Sequence, residues 1–392
     1  MKRREFTKKS GVALAGVSTL GTGIWTPFKK DTIKVGVIGT GDRGGGLISI
    51  MNDIPGLEVV GCCDVLPFRL ESGIKKVSGN AMAYADHRAL LDNNDIDAVI
   101  VSTPFSTHEK IALDALDAGK HVYCEKTMAK GFDGIQNLVQ AASSAKTVFQ
   151  TGHQYHSSRL YTHVVDLIKK GKIGKVTAID CQWNRNADWR RPVPHPKYER
   201  AINWRMYKEF SGGLLAELCS HQLDLANWIL DAVPLRVIGE GGIDYWKDGR
   251  ETYDNVHMIY TYPNGVRAKF TCLTSNSKDD YLIKILGDNG TITIGYTNAW
   301  FYPEKLEENK QIGEVDGVSG ATLEWDEHNG IPIKMEHLDP TKQALLDFKN
   351  AVSNDQEPNS SVETGAKAAI CVQMGLDALY NGTSVSWKTG IV

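Results

Sequence analysis

One stretch limits the fold more than any other. Residues 33–38, IKVGVI, are a short β-branched apolar run, the pattern of a strand buried on both faces of a parallel sheet. Gly39-Thr40-Gly41-Asp42-Arg43-Gly44 follows at once. A helix-compatible stretch at 45–52, a second strand at 57–63 and Asp64 at its end come next. Strand, GxGxxG, helix, strand and acid in this order make a dinucleotide-binding unit. Each part has a task. Gly39 permits the tight turn, Gly41 lets backbone approach a pyrophosphate, and Gly44 allows close packing of helix on strand. The helix start at Asp42 and Arg43 offers free N–H groups and the positive end of a dipole to phosphates. Asp64 can accept from both ribose hydroxyls and would repel a 2′-phosphate, which favours NAD. Arg43 and Arg69 leave room for NADP.

The alternation continues with strands at 97–101, 121–124 and 147–150 and helices at 108–118 and 132–145. That predicts a doubly wound parallel sheet over 31–153, with ligands at the carboxyl ends of its strands. Those ends carry Asp64, Thr103-Pro104, Glu125-Lys126 and Gly152-His153-Gln154. Lys126 is the cation placed to polarise a substrate oxygen; the alternative is a surface ion pair with Glu125.

From 154 the pattern changes. A helix at 158–170, a strand at 175–183 and a long helix at 214–230 precede at least four strand-like runs. Pro263-Asn264-Gly265 and Asp288-Asn289-Gly290 separate them as hairpin turns. A second α/β domain over 154–392 is expected, with a large open, mainly antiparallel sheet and the long helix on one face. Glu217, His221, Asp224 and Trp228, spaced four, three and four, fall on one face of that helix. His221 can move a proton near neutral pH while Glu217 orients its ring; the alternative is a satisfied core histidine beside an exposed acid. Arg185, Trp189, Arg190, Arg191, His195 and Trp204 crowd the segment before it, where indole faces suit sugar C–H surfaces and guanidinium forks suit oxygens.

Thr103-Pro104, His108, AGKHV at 118–122, Glu125-Lys126 and GGLLAELCSHQLD at 212–224 resemble the Gfo/Idh/MocA oxidoreductases, a family that includes glucose–fructose oxidoreductase and inositol dehydrogenase. The likeness runs from about residue 33 to the C-terminus. It implies a sugar or polyol dehydrogenase using NAD, with catalysis by Lys126, His221 and Glu217. It places Thr103, Pro104, His108, Glu125 and Lys126 at the cofactor and Gln154, Trp204 and Asp224 at the substrate, Asp224 serving there or as a helix-orienting group. A homo-oligomer, dimer or tetramer, is implied too. Two positions depart from the family pattern: Thr127 stands where a proline follows the Glu-Lys pair, and Glu217 stands where inositol dehydrogenase has Asp. An NAD-dependent glycosidase working by transient oxidation is the first alternative, and a non-catalytic NAD- or sugar-binding protein the second.

Composition bounds the rest. The 392 residues are 42% hydrophobic and 23% charged, the balance of a globular chain rather than a disordered one. Seven cysteines with no CxxC spacing predict buried thiols and no zinc site; no metal is expected. The net charge of -3 argues against nucleic acid as partner. It is also an average, because residues 1–30 hold seven Lys or Arg against one Glu and the body is correspondingly more acidic. Arg3-Arg4, then an uncharged, mildly apolar run at 10–28, resembles a twin-arginine export signal. The expectation is a periplasmic protein free of the membrane in mature form; the alternatives are a disordered tail and an uncleaved anchor.

Overall fold

The computed structural model describes residues 32–304, 330–336 and 338–392; the basic segment at 1–30 lies outside them. The first sheet is built of β1 (Ile33–Ile38), β2 (Leu57–Cys63), β3 (Met82–Tyr84), β4 (Ala98–Val101), β5 (His121–Cys124) and β6 (Phe149–Thr151). Its helices are α1 (Asp42–Met51), α2 (Pro67–Lys76), α3 (His87–Leu91), α4 (His108–Asp117) and α5 (Phe132–Ser144). All strands run parallel in the order β3-β2-β1-β4-β5-β6. β1 and β4 are buried almost throughout, as strands covered by helices on both faces must be.

The second sheet has nine strands in the order β14-β13-β12-β11-β7-β10-β9-β8-β15. They are β7 (Val176–Trp183), β8 (Arg236–Gly242), β9 (Asn255–Thr261), β10 (Arg267–Leu273), β11 (Tyr281–Gly287), β12 (Gly290–Ile294), β13 (Ala299–Pro303), β14 (Ile331–Ile333) and β15 (Val385–Ser386). Only β7 and β10 pair in parallel. β9 and β10 form the hairpin read at Pro263-Asn264-Gly265, with Asn264 and Gly265 in the left-handed region at φ 62 and 81. Burial alternates along β9 and β10, so one face is packed and the other is open. Ile238 and Ile259 stand exposed on it.

The helices of this half are α6 (Arg159–Lys169), α7 (Glu199–Ile202), α8 (Ser220–Leu230), α9 (Pro340–Asn354) and α10 (Val362–Asn381). α10 is the central one. It touches α5 and β6 of the first sheet and α8 and β8 of the second, and Gly365 lets it press against Thr151, where a Cβ would stand 2.3 Å from the Thr151 methyl. α9 returns to the first sheet: Ala344, Leu345, Phe348 and Ala351 share a core with β1, β2, β4 and Tyr123. The Phe348 ring meets Tyr123 edge-on at 5.7 Å, and Gln150 Nε2 donates to the Ala344 carbonyl at 2.8 Å. All seven cysteines are buried free thiols. No helix of the described residues is long and apolar enough to cross a membrane.

Because Phe348 is fully buried in the core of the first sheet, Phe348→Ala is expected to cost about 3–5 kcal/mol of stability. Denaturant unfolding followed by tryptophan fluorescence checks this; an unchanged midpoint would place α9 outside that core.

Candidate active site

A cavity of about 1100 Å³ opens at the carboxyl ends of the first sheet and continues to the segment after β7. At one end lies the glycine turn. Gly39 has φ +89, and a Cβ on it would stand 2.7 Å from the Ser102 carbonyl; one on Gly44 would stand 1.9 Å from the Gly39 carbonyl. Ser102 Oγ donates to that carbonyl at 2.7 Å. Only glycine fits both places. Asp64 lines the cavity and braces the turn, accepting from the backbone N–H of Thr40 and of Leu66 at 2.9 Å each. A carboxylate oxygen takes more than one donor, so both keep room for ribose hydroxyls. The turn, the start of α1 and Asp64 together fit a dinucleotide.

Two charges of the turn are already engaged. Arg43 Nε donates to Glu125 Oε1 at 2.7 Å and its Nη1 to Thr341 Oγ1 at 3.4 Å. It is therefore a clamp on a buried acid and on α9, and it lines the cavity at the turn. Asp42 meets Arg191 at 3.1 Å, an exposed pair worth little in energy but one that ties the segment after β7 over the turn. Phe68 and Tyr198 make a second crossing, edge to face at 5.3 Å. Arg69 does lie beside Gly41, within 3.1 Å of where a Cβ would be.

Thr103 and Pro104 line the cavity. His108 lines it too, but its ring is spent on backbone: Nε2 lies 2.8 Å from the Thr103 carbonyl and Nδ1 2.9 Å from that of Thr127. It braces two strand-end loops: burial lowers its pKa, and the neutral ring donates to one of the two carbonyls while keeping its place on the cavity wall.

Lys126 is the join between the halves. Its Nζ donates to the carbonyl of Glu217 at 2.8 Å and more weakly to that of Ala216 at 3.4 Å. Those carbonyls accept a side chain because Leu215–Cys219 is a π-helical turn, not α-helix, and a π turn alters which carbonyls the helix ladder uses. The Lys126–Thr127 peptide is cis. Burial lowers the Lys126 pKa against the pull of Glu217 and Glu125.

The π turn also breaks the face expected over 217–228. Glu217 does not reach His221; its Oε2 accepts from Arg205 Nε at 2.7 Å. Burial works to raise its pKa, but Arg205 and Lys126 outweigh this and hold it below the usual carboxylate value. Asp224 is buried and absent from the cavity wall. It stands 2.9 Å from His156 Nε2, whose ring stacks on Trp228 at 4.2 Å, so it orients the helix rather than touching substrate. His221 lines the cavity as expected. Its ring lies among His153, Tyr155 and Trp183 at 5.9, 5.1 and 6.0 Å, and its Nδ1 has no hydrogen-bond partner among the described residues. Burial, then the positive charge of Lys126, holds its pKa well below the ordinary 6.5.

Gln154 and Trp204 line the cavity, and the Arg205 guanidinium covers the Trp204 ring at 4.2 Å. Of the candidates after β7, Arg185, Trp189 and Arg191 reach the wall. Arg190 instead pairs with Asp248 and Glu199, and the His195 ring accepts from the Lys197 N–H. Arg205, Arg200 and Phe105 reach the wall without having stood out in sequence. His153 was visible only as part of a strand end. Its Nδ1 lies 3.2 Å from Thr151 Oγ1, which in turn meets Ser360 Oγ at 2.6 Å.

Burial depresses the His153 pKa to about 4 from 6.5. The unfolded chain therefore binds this proton first as pH falls. The stability it supports is complete above 6.5 and is lost progressively towards 4, by about 3 kcal/mol. Urea unfolding at pH 7 and pH 4.5 is expected to show a smaller acid loss in His153→Gln than in the parent chain; equal losses would refute the neutral, buried state.

Comparison with known proteins follows this geometry. Residues 33–153 match the oxidoreductase family with an NAD-binding Rossmann fold, and residues 161–293 match the GFO/IDH/MocA C-terminal domain, together more than half the chain. The chain is similar to an inositol 2-dehydrogenase of Salmonella typhimurium, 28% identical over 51% of this chain and 55% of that protein. It thus spans about half the length of that relative. It is also similar to a 2,7-anhydro-N-acetylneuraminate hydratase of Escherichia coli, 29% identical over 73% of this chain and 78% of that one. In fold it is similar to a levoglucosan dehydrogenase solved with NADH and levoglucosan, with a TM-score of 0.75 at 16% identity over 91% of this chain and all of the other. A glycine turn backed by Asp64, and a helix bearing His221 reached by Lys126, thus lie in a chain that belongs to the Gfo/Idh/MocA oxidoreductase family and carries its NAD-binding Rossmann domain.

Proposed function

We propose that the protein oxidises a sugar or polyol carbinol to its carbonyl, or reduces that carbonyl in the reverse direction, with Lys126 and His221 as catalytic residues and Gln154 and Trp204 against the substrate. The observation that carries this reading is the joint placement of Lys126 and a neutral His221 on the cavity that the glycine turn opens. NAD held in that turn supplies the hydride acceptor. Lys126 then holds the carbinol oxygen and stabilises negative charge growing on it. His221, neutral at physiological pH, takes the hydroxyl proton in the forward direction and returns it in the reverse. Glu217 holds Arg205 and offsets the Lys126 charge; it serves as a positioning residue rather than a proton carrier.

Residues 1–30 form the export address in this reading, which sends the folded enzyme to the periplasm. Free NAD is not expected there, so a tightly held cofactor must be reset by a second carbonyl substrate. A redox-neutral sequence is the second reading: oxidation at one carbon, elimination or addition at its neighbour, then reduction. The likeness to a hydratase, a reaction without net redox change, favours it.

Purified protein is expected to form NADH from NAD with some member of a sugar and polyol panel, or to convert a glycoside or anhydrosugar with no net NADH. The first outcome marks the dehydrogenase, the second the redox-neutral enzyme, and neither outcome refutes both. Lys126→Ala and His221→Ala are each expected to lower kcat/KM by roughly 10²–10⁴-fold. The acid limb of the kcat/KM profile is expected below pH 6.5. Lys126→Met, by removing a positive charge, is expected to move that limb upward. For export, residues 1–30 fused to a folded reporter are expected to carry it to the periplasm, and replacing both Arg3 and Arg4 with Lys to retain it in the cytoplasm.

A further inference from the structure

Arg185 follows β7 by two residues, and its backbone N–H donates to the Leu273 carbonyl at 2.7 Å, which fixes its place. The guanidinium carbon lies over two indoles, 5.6 Å from the Trp183 ring centre and 5.8 Å from that of Trp189. Trp189 holds its position from the left-handed region, at φ 65, where a bulky residue is rarely found without a reason. The two rings attract the cation but cannot accept its in-plane N–H groups. Arg185 Nε is buried and has no hydrogen-bond partner among the described residues.

The neighbouring arginines differ. Arg191 faces Asp42, Arg200 faces Glu209 and Arg205 faces Glu217. No carboxylate of the described residues pairs with Arg185. A permanently charged fork that lines the cavity, backed by indoles and paired with no carboxylate, is suited to a planar anion arriving with a ligand.

Trp183 sets the geometry of that ligand. Its ring stands 6.0 Å from His221 and 5.6 Å from the Arg185 guanidinium. A pyranose held in the cavity between His221 and Arg185, both on its wall, would present one edge to the imidazole and another to the guanidinium. We propose that Arg185 is the receptor for a carboxylate on the substrate, which makes the substrate an acidic sugar of the uronate kind, oxidised at a carbinol away from its carboxylate. This rests on the sugar reading above.

The test uses the full chain loaded with NADH and compares sugars that differ only at carbon 6. D-glucuronate is set against D-glucose and D-galacturonate against D-galactose, with glucose 6-phosphate as a second anion, followed by tryptophan fluorescence and calorimetry. At least one uronate is expected to bind about tenfold or more tightly than its neutral partner, with a preference that weakens in added salt. Arg185→Gln is expected to bring that ratio close to one, and Arg185→Lys to restore part of it. The proposal is overturned if neither uronate is preferred, if Arg185→Gln keeps the preference, or if glucose 6-phosphate binds more tightly than both uronates. Binding and oxidation of neutral sugars without an acidic preference would remove the Arg185 assignment and leave the sugar reading standing. Failure of every sugar to bind would remove both.

Discussion

The contact on which the site depends is the ammonium of Lys126 against the carbonyls of Ala216 and Glu217. It joins the strand end that faces the dinucleotide to the helix that carries His221. Both carbonyls lie in the π turn at Leu215–Cys219, and each oxygen has a second lone pair that the ammonium can use. The same turn swings Glu217 away from His221 and onto Arg205. One local change in helix type therefore assigns three side chains their partners. It also bears on the electrostatics, since Lys126 adds to the burial that keeps His221 neutral while Glu217 keeps Lys126 from being an isolated buried charge.

The parallel sheet was legible because its signals are local. β1, the glycine turn, β2 and Asp64 follow one another within a single βαβ unit, and Gly39 and Gly44 are each forced by a backbone approach. The hairpins at 263–265 and 288–290 were legible for the same reason. The distribution of charge partners was not. Nothing in the order of residues says that Arg43 turns to Glu125, that Arg205 takes Glu217, or that Asp224 meets His156. Arg43–Glu125 and Asp224–His156 join segments far apart in the chain, Arg205–Glu217 spans twelve residues, and in each the choice among several carboxylates is made by packing. The π turn was hidden too, because the spacing of Glu217, His221, Asp224 and Trp228 satisfies a regular helix. His221 and Lys126 were found through position at a strand end and through family pattern. His153 carries no such mark, being defined by burial against Thr151 and Ser360.

The return of α9 to the first sheet has a consequence for the order of events during synthesis. Phe348 and its neighbours close the core against Tyr123, and Thr341 completes the surroundings of Arg43. The dinucleotide half is left with an open apolar face until the ribosome has also made α9. Contacts of such long separation are slow to form, and an exposed face in the interval invites association with other chains. The cofactor half thus waits on a segment made long after its own strands, and a nascent chain truncated before α9 would leave the very sheet that holds the nucleotide unfinished.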